Sequence, residues 1–148
     1  GALMRRSLQP LTSVEASGSD DLRIEKSIIG PDTLRAGDKV TVRLVIHVGR
    51  NLNYVAITDD RAACFEPVDQ LPSTSMSEGV IFYIEPRDTR TSLFATTMPK
   101  GTYVVSYDLY VNNAGSFASG IATAASQYAP EITARSAGSV ITVNPASK

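Results

Sequence analysis

An alternation of apolar and polar residues constrains the fold of this chain more than any other feature. It is clearest over residues 40–48, where five apolar side chains occupy every second position: Val40, Val42, Leu44, Ile46 and Val48. This period places one face of a β-strand against a core and the other towards polar surroundings. Shorter segments of the same kind occupy residues 22–28, 54–58, 80–85, 91–97, 102–111, 121–125 and 139–143. Their spacing, with turn residues between them and no sustained helical period, predicts an all-β sandwich.

Length and composition allow one domain. The chain has 148 residues, of which 43% are hydrophobic and 20% charged, which is typical of a globular protein with a single core. Residues 1–20 are polar and end in the linker-like run Ala16–Asp20. We therefore predict a tag remnant and linker over residues 1–20, disordered or loosely packed, and a sandwich domain over residues 21–148.

Charge and residue counts argue against several classes of function. Lys and Arg number 14 and Asp and Glu 15, so the chain lacks the basic field that nucleic-acid binding requires. No apolar run of about 18 residues exists, so we expect no membrane insertion. One Cys and one His cannot form a disulfide framework, a thiolate zinc site or a histidine-rich metal site. We expect no metal and no cofactor.

Candidates for catalysis are few. His47 falls on the polar face of the strand over residues 40–48, and no Gly-x-Ser-x-Gly nucleophile motif accompanies it. We interpret it as an ordinary surface histidine. Asp59 and Asp60 end a strand, and turn or cap duty is a simpler role for them than calcium binding, which needs about six oxygen ligands. The sequence does not predict an enzyme.

Residues 59–79 show no period and contain two prolines, which predicts a long loop. Cys64 lies in this segment, within Ala63-Cys64-Phe65-Glu66-Pro67. A self-formed thioester uses Cys-x-Glu-Gln, in which the Gln side chain donates the acyl group. Pro67 stands in the Gln position, so Cys64 cannot form that bond. A free cysteine is most often a small buried hydrophobe, and we predict that role for Cys64.

A set of fragments in fixed order adds a more specific pattern. They are Ala36–Val40, Tyr54–Val68, Leu93-Phe94 followed by Pro99–Leu109, Gly115–Phe117 followed by Gly120–Ala122, and Tyr128–Glu131. Together they resemble the C-terminal macroglobulin-like domain, domain ten, of bacterial alpha-2-macroglobulins, and the match covers roughly residues 22–143. This domain is the counterpart of the receptor-binding domain of the animal proteins. The resemblance implies a two-sheet, immunoglobulin-like sandwich.

The resemblance also implies a function. Parents of this family are long chains anchored in the bacterial cell envelope, and they trap proteases after cleavage of a bait segment. In members with a thioester, a protease lysine is captured covalently, and the C-terminal domain shields the thioester domain from water beforehand. The resemblance therefore implies a non-catalytic domain whose partners are the other domains of its parent and, through the parent, target proteases.

Two site candidates follow from this resemblance. The family shields its thioester with a Met-Tyr pair before a turn, and here the corresponding residues are Gln127 and Tyr128. The polar Gln127 fits a parent that lacks a thioester, or a hydrogen bond to the partner domain; Tyr128 alternatively anchors its turn to the sandwich. The second candidate is the segment over residues 61–79, since long loops often carry contacts to neighbours. Its candidate contact residues are Arg61, Cys64, Phe65 and Glu66.

One alternative function stays open at this point. A free-standing surface module that binds a ligand or mediates adhesion has the same sandwich, since fold alone does not determine function.

Overall fold

The computed structural model of the protein describes residues 16–145. All regular secondary structure in that range is β-strand. The thirteen strands are β1 Leu22–Ile29, β2 Leu34–Arg35, β3 Lys39–Val48, β4 Leu52–Asp60, β5 Phe65–Pro67, β6 Ser73–Ser77, β7 Val80–Pro86, β8 Arg90–Met98, β9 Gly101–Val111, β10 Gly115–Ala118, β11 Ala122–Ser126, β12 Thr133–Arg135 and β13 Val140–Asn144. None of the described residues forms a helix that could cross a membrane.

Two antiparallel sheets enclose the core. One has four strands in the order β1-β3-β9-β5, and the other has six in the order β12-β11-β4-β8-β7-β6. The alternating apolar residues of β3 are all buried, and they share one core cluster with buried residues of the opposite sheet such as Ile57, Phe82 and Leu93. The predicted all-β sandwich is confirmed, because the period of each long strand directs one face inward.

A third, small sheet closes one end of the sandwich. Its order is β10-β13-β2, and it combines an antiparallel pair, β10 with β13, with a parallel pair, β13 with β2. Partly buried Leu34, Phe117 and Ile141 pack from this sheet against the main core. None of its three strands exceeds five residues.

The long loop predicted over residues 59–79 is wrong. Asp59 and Asp60 belong to β4, and the segment contains two strands, β5 and β6. β5 pairs with only three residues of β9, and β6 is a polar edge strand with no buried side chain. Neither strand has an apolar alternation, so backbone pairing alone defines them. The same reason explains why the sequence did not predict β2, β10 and β12.

The predicted linker falls partly outside the structure. Residues 1–15 lie outside the described residues. Within residues 16–20, Ser17 forms an isolated antiparallel bridge with Arg135 of β12, with hydrogen bonds in both directions. The domain boundary at residue 21 stays a prediction.

Candidate functional site

Gln127 and Tyr128 lie in the turn that connects β11 to β12 at one end of the six-stranded sheet. Both residues are exposed, and the Tyr128 side chain is unusually so, with 73% of its surface open to solvent. The turn is fixed to β4: the Gln127 backbone N–H donates to the Tyr54 carbonyl at 2.8 Å, and Ser126 Oγ donates to the Asn53 carbonyl at 3.3 Å. A firmly held backbone therefore carries a projecting aromatic side chain.

Tyr54 supports the Tyr128 ring. The two ring centroids are 4.7 Å apart with an interplanar angle of 70°, an edge-to-face contact. Tyr54 also lies 6.0 Å from the ring of Phe94 on the neighbouring strand. Hydrogen bonding to Tyr54 raises the pKa of the Tyr128 phenol, and the charge of Tyr54 is a second, smaller cause in the same direction. We call Tyr54 and Tyr128 the aromatic pair.

The aromatic pair adjoins the outer face of the six-stranded sheet. One cross-strand row on this face is uncharged and runs through Ala125, Ala56, Phe94, Tyr83 and Thr74. Beside it lies an open groove of about 550 Å³, whose lining includes Phe94, Tyr83 and Thr74. Tyr83 is half exposed. The outer face therefore offers an apolar surface next to Tyr128.

The second candidate segment is less accessible than the sequence suggested. Cys64 and Phe65 are buried, as predicted for Cys64, so neither side chain reaches a neighbouring domain from this conformation. The Arg61 guanidinium donates to the carbonyls of Asp88 and Arg90 at 2.9 and 3.0 Å, which fixes the β7–β8 turn. Glu66 is exposed and retains its contact role as a prediction.

A buried ion pair is the polar feature that sequence reasoning missed. Lys26 of β1 and Asp59 of β4 meet with Nζ and Oδ1 2.6 Å apart, and their side chains are 5% and 2% exposed. Lys26 Nζ also donates to the carbonyls of Asp60 and Ser119 at 3.0 and 3.2 Å. The predicted turn or cap role of Asp59 is therefore wrong, because its carboxylate points into the core. We call this contact the buried ion pair.

The surroundings of Asp59 shift the pKa of its carboxyl group. Burial raises the pKa of Asp59 to about 6, although the charge of Lys26 acts in the opposite direction. Gly120, in the connection between β10 and β11, lies next to the buried ion pair and helps to enclose it. Its φ is +78°, and a Cβ at this position would overlap the Asp60 carbonyl. The sequence did signal one partner: Lys26 occupies an apolar position in the period of β1.

His47 lies on the polar face of β3, as predicted. Its Nδ1 is 3.3 Å from Thr102 Oγ1, and its Nε2 is 3.5 Å from a carboxylate oxygen of Glu25. All three are on the outer face of the four-stranded sheet. Within residues 16–145, no three His, Cys, Asp or Glu side chains come together as a metal site. The geometry supports a contact surface around Tyr128 better than it supports catalysis.

The chain is similar in sequence and fold to known proteins. Residues 4–131 match the sequence model of the bacterial alpha-2-macroglobulin MG10 domain. A Salmonella alpha-2-macroglobulin reacted with methylamine has 26% identity and a TM-score of 0.76; the match covers 89% of this chain and 10% of that one. A search of curated proteins found no match.

Two structures from Escherichia coli share the fold at lower identity. Native alpha-2-macroglobulin, from domain MG7 to the C-terminus, gives 21% identity and a TM-score of 0.75 over 88% of this chain and 24% of that one. The trypsin-activated protein gives 20% identity and a TM-score of 0.73 over 89% of this chain and 11% of that one. The chain thus spans about a tenth of the Salmonella protein.

Proposed function

Because the chain belongs to the family of bacterial alpha-2-macroglobulin MG10 domains, we propose that it is the non-catalytic C-terminal domain of a protease trap. Its role is to pack against the other domains of a longer parent chain, to cover the thioester domain where the parent has one, and to move when a protease cleaves the bait segment. The target proteases meet the parent rather than this domain. We assign the parent to the bacterial cell envelope.

The observation that carries this proposal is the exposure of Tyr128. A tyrosine that is 73% exposed adds little to the stability of its own domain. Exposed aromatic side chains on a fixed backbone are typical anchors of protein interfaces, where they fill pockets on the partner. Tyr128 occupies the tyrosine position of the shielding pair of the family, which supports a contact with the thioester domain.

Gln127 fits this contact without acting as an apolar lid. Its backbone N–H is already bonded to Tyr54, whereas its side chain is exposed. A buried amide needs hydrogen-bond partners, so a partner domain that covers Gln127 must supply them. We propose that Gln127 bonds to the partner domain beside the inserted Tyr128 ring. Glu66, on β5, is a peripheral contact in this proposal.

The test uses the full-length parent and trypsin. A trap leaves bound trypsin able to cleave a small chromogenic substrate while it protects a large protein substrate. We expect this pattern for the parent and no inhibition by the isolated chain. Intact mass before and after methylamine then shows whether the parent holds a thioester.

The role of Tyr128 is tested in the same parent with Tyr128→Ala. In a parent with a thioester, we expect this variant to react with methylamine faster than the wild type, because water and amines reach the bond. Tyr110→Ala is the matched control, since Tyr110 is 44% exposed and lies on β9 of the opposite sheet. Equal rates for all three proteins contradict the shielding role. A parent that does not protect the large substrate contradicts the trap and favours the ligand-binding module.

A further inference from the structure

Tyr54 has a backbone conformation that is unusual for its residue type. Its φ is +54°, in the left-handed region, and only one other non-glycine residue in the described range has a positive φ. Bulky aromatic residues rarely adopt this conformation because the Cβ crowds the backbone. Such a conformation persists only where the surrounding structure enforces it, and it is concentrated at functional sites.

The flanking strand is regular, so the distortion affects one residue. Asn53 pairs with Thr97 and Val55 pairs with Ala95, in the same register on both sides of Tyr54. Tyr54 itself is not paired with β8, and its carbonyl instead accepts the hydrogen bond from Gln127. The left-handed turn of the backbone thus occurs at the point where β4 contacts the Tyr128 turn.

Tyr54 contacts that turn in two ways. Its carbonyl holds the backbone of Gln127 at 2.8 Å, and its ring contacts the ring of Tyr128 at 4.7 Å. The centroid of the Phe94 ring lies 6.0 Å from that of the Tyr54 ring. A tyrosine as exposed as Tyr128 samples several rotamers when nothing supports it, and it loses that freedom on binding.

We propose that Tyr54 is the positioning residue of the Tyr128 contact: its strained backbone places an aromatic support behind Tyr128, so that the exposed ring is already ordered before the partner domain binds. This inference rests on the proposed function, because it concerns the same contact. The partner is a domain of the parent with a pocket that accepts the Tyr128 ring. Tyr54 itself is 38% exposed, whereas Tyr128 is 73% exposed.

The test measures how well docking protects the Tyr128 ring. Tetranitromethane nitrates exposed tyrosines, and peptide mass analysis resolves the rate at Tyr128 from the rates at the other five tyrosines. We expect Tyr128 to react readily in the isolated chain and slowly in the full-length wild-type parent. This readout is independent of whether the parent holds a thioester.

Two substitutions separate the ring of Tyr54 from its backbone. Tyr54→Asn removes the ring but suits a left-handed backbone, since asparagine tolerates that region. For each variant, the nitration rate at Tyr128 in the parent is divided by the rate in its own isolated chain, so that a change in the phenol pKa on loss of the Tyr54 hydroxyl cancels. We expect Tyr54→Asn to raise this relative rate roughly two- to tenfold, the range set by the cost of ordering one side chain on binding. Tyr54→Phe keeps the ring and should keep the wild-type relative rate. Urea unfolding of both isolated variants shows whether a change in rate follows a change in stability.

The outcomes distinguish the two proposals. If Tyr128 is nitrated equally fast in the parent and in the isolated chain, the contact does not exist, and both the contact role of Tyr128 and the positioning role of Tyr54 are overturned, whereas the trap is judged by the trypsin test. If the wild-type parent protects Tyr128 and Tyr54→Asn protects it equally well, the positioning role is overturned while the proposed function stands. A faster rate in Tyr54→Asn that merely follows lost stability also overturns it. A faster rate at wild-type stability, with Tyr54→Phe unchanged, supports it.

Discussion

The buried ion pair and the aromatic pair are opposites. Lys26 and Asp59 are charged and almost fully enclosed, and Lys26 has two further carbonyl partners. Tyr54 and Tyr128 are aromatic and face solvent. Since burial of apolar surface drives folding, each pair is the reverse of what stability alone favours. The ion pair therefore depends on the fold around it, whereas the exposure of the aromatic pair supports the proposed contact with another domain.

Removal of Asp59 should give the largest effect on this contrast. In Asp59→Ala, the Lys26 ammonium stays buried without a counter-charge, and we expect a loss of about 3–5 kcal/mol in the free energy of unfolding. Urea denaturation at neutral pH measures it. Asp60→Ala is the control, because that neighbouring side chain is exposed and should stay within about 0.5 kcal/mol of the wild type. Equal stability of the two variants contradicts the role of the pair.

The pH dependence of stability should be unusual in sign. Burial raises the pKa of Asp59 from 3.8 to about 6, so the folded state binds this proton more tightly than the unfolded state does. The stability linked to this proton is therefore fully present below about pH 4 and is lost as the pH rises through 6, a change of about 3 kcal/mol. At pH 7 the ionised carboxylate of Asp59 still balances the charge of the buried Lys26 ammonium, so its removal destabilises the domain there as well. The measurement is the difference in unfolding free energy between the wild type and the double variant Lys26→Met, Asp59→Leu from pH 4 to 7.

That double variant has a second use. Replacement of a buried ion pair by apolar residues of similar size is often neutral or stabilising. We expect it to unfold at a urea concentration equal to or higher than that of the wild type at pH 7. A pH profile parallel to that of the wild type shows that Asp59 does not titrate differently in the two states.

Gly120 offers a smaller effect on the same region. Gly120 and Gly79 both have a φ of +78°, but a Cβ on Gly79 would meet open space, whereas one on Gly120 would overlap the Asp60 carbonyl. Alanine at either site carries the left-handed penalty, and Gly120→Ala adds the displacement of the carbonyl that binds Lys26. We expect Gly120→Ala to lose about 1–3 kcal/mol more than Gly79→Ala in thermal or urea unfolding. Equal losses in unfolding free energy for the two variants would show that the β10–β11 connection moves away from the Asp60 carbonyl without a loss of stability.

Tyr128→Ala should give the smallest change in stability. We expect the free energy of unfolding of the isolated chain to stay within about 0.5 kcal/mol of the wild type, because most of the side chain is already in solvent. Urea denaturation checks this. A loss of more than about 1 kcal/mol supports the alternative role, in which Tyr128 anchors its turn to the sandwich.

The sequence predicted the two regions unequally. The long strands follow directly from their period, and the burial of Cys64 follows from the apolar character of a free cysteine. Lys26 was visible as an exception to the period of β1, but its partner was not, because Asp59 comes from a strand of the opposite sheet. Asp59 continues the inward positions of Val55 and Ile57, but the predicted strand ended at residue 58 and left Asp59 in a loop. The family resemblance indicated Tyr128, whereas the left-handed backbone of Tyr54 has no sequence signature, since tyrosine is ordinary in strands.

The small third sheet determines when the domain can be completed. β13 pairs in parallel with β2, so residues 143 and 144 contact residues 34 and 35. A contact between such distant positions forms late and slows folding, because most of the chain must be ordered before it can close. Until β13 has been synthesised and has left the ribosome, Leu34 and Phe117 lack part of their cover. The fold is therefore completed only after β13 has emerged, and the incomplete form exposes apolar strand edges during synthesis.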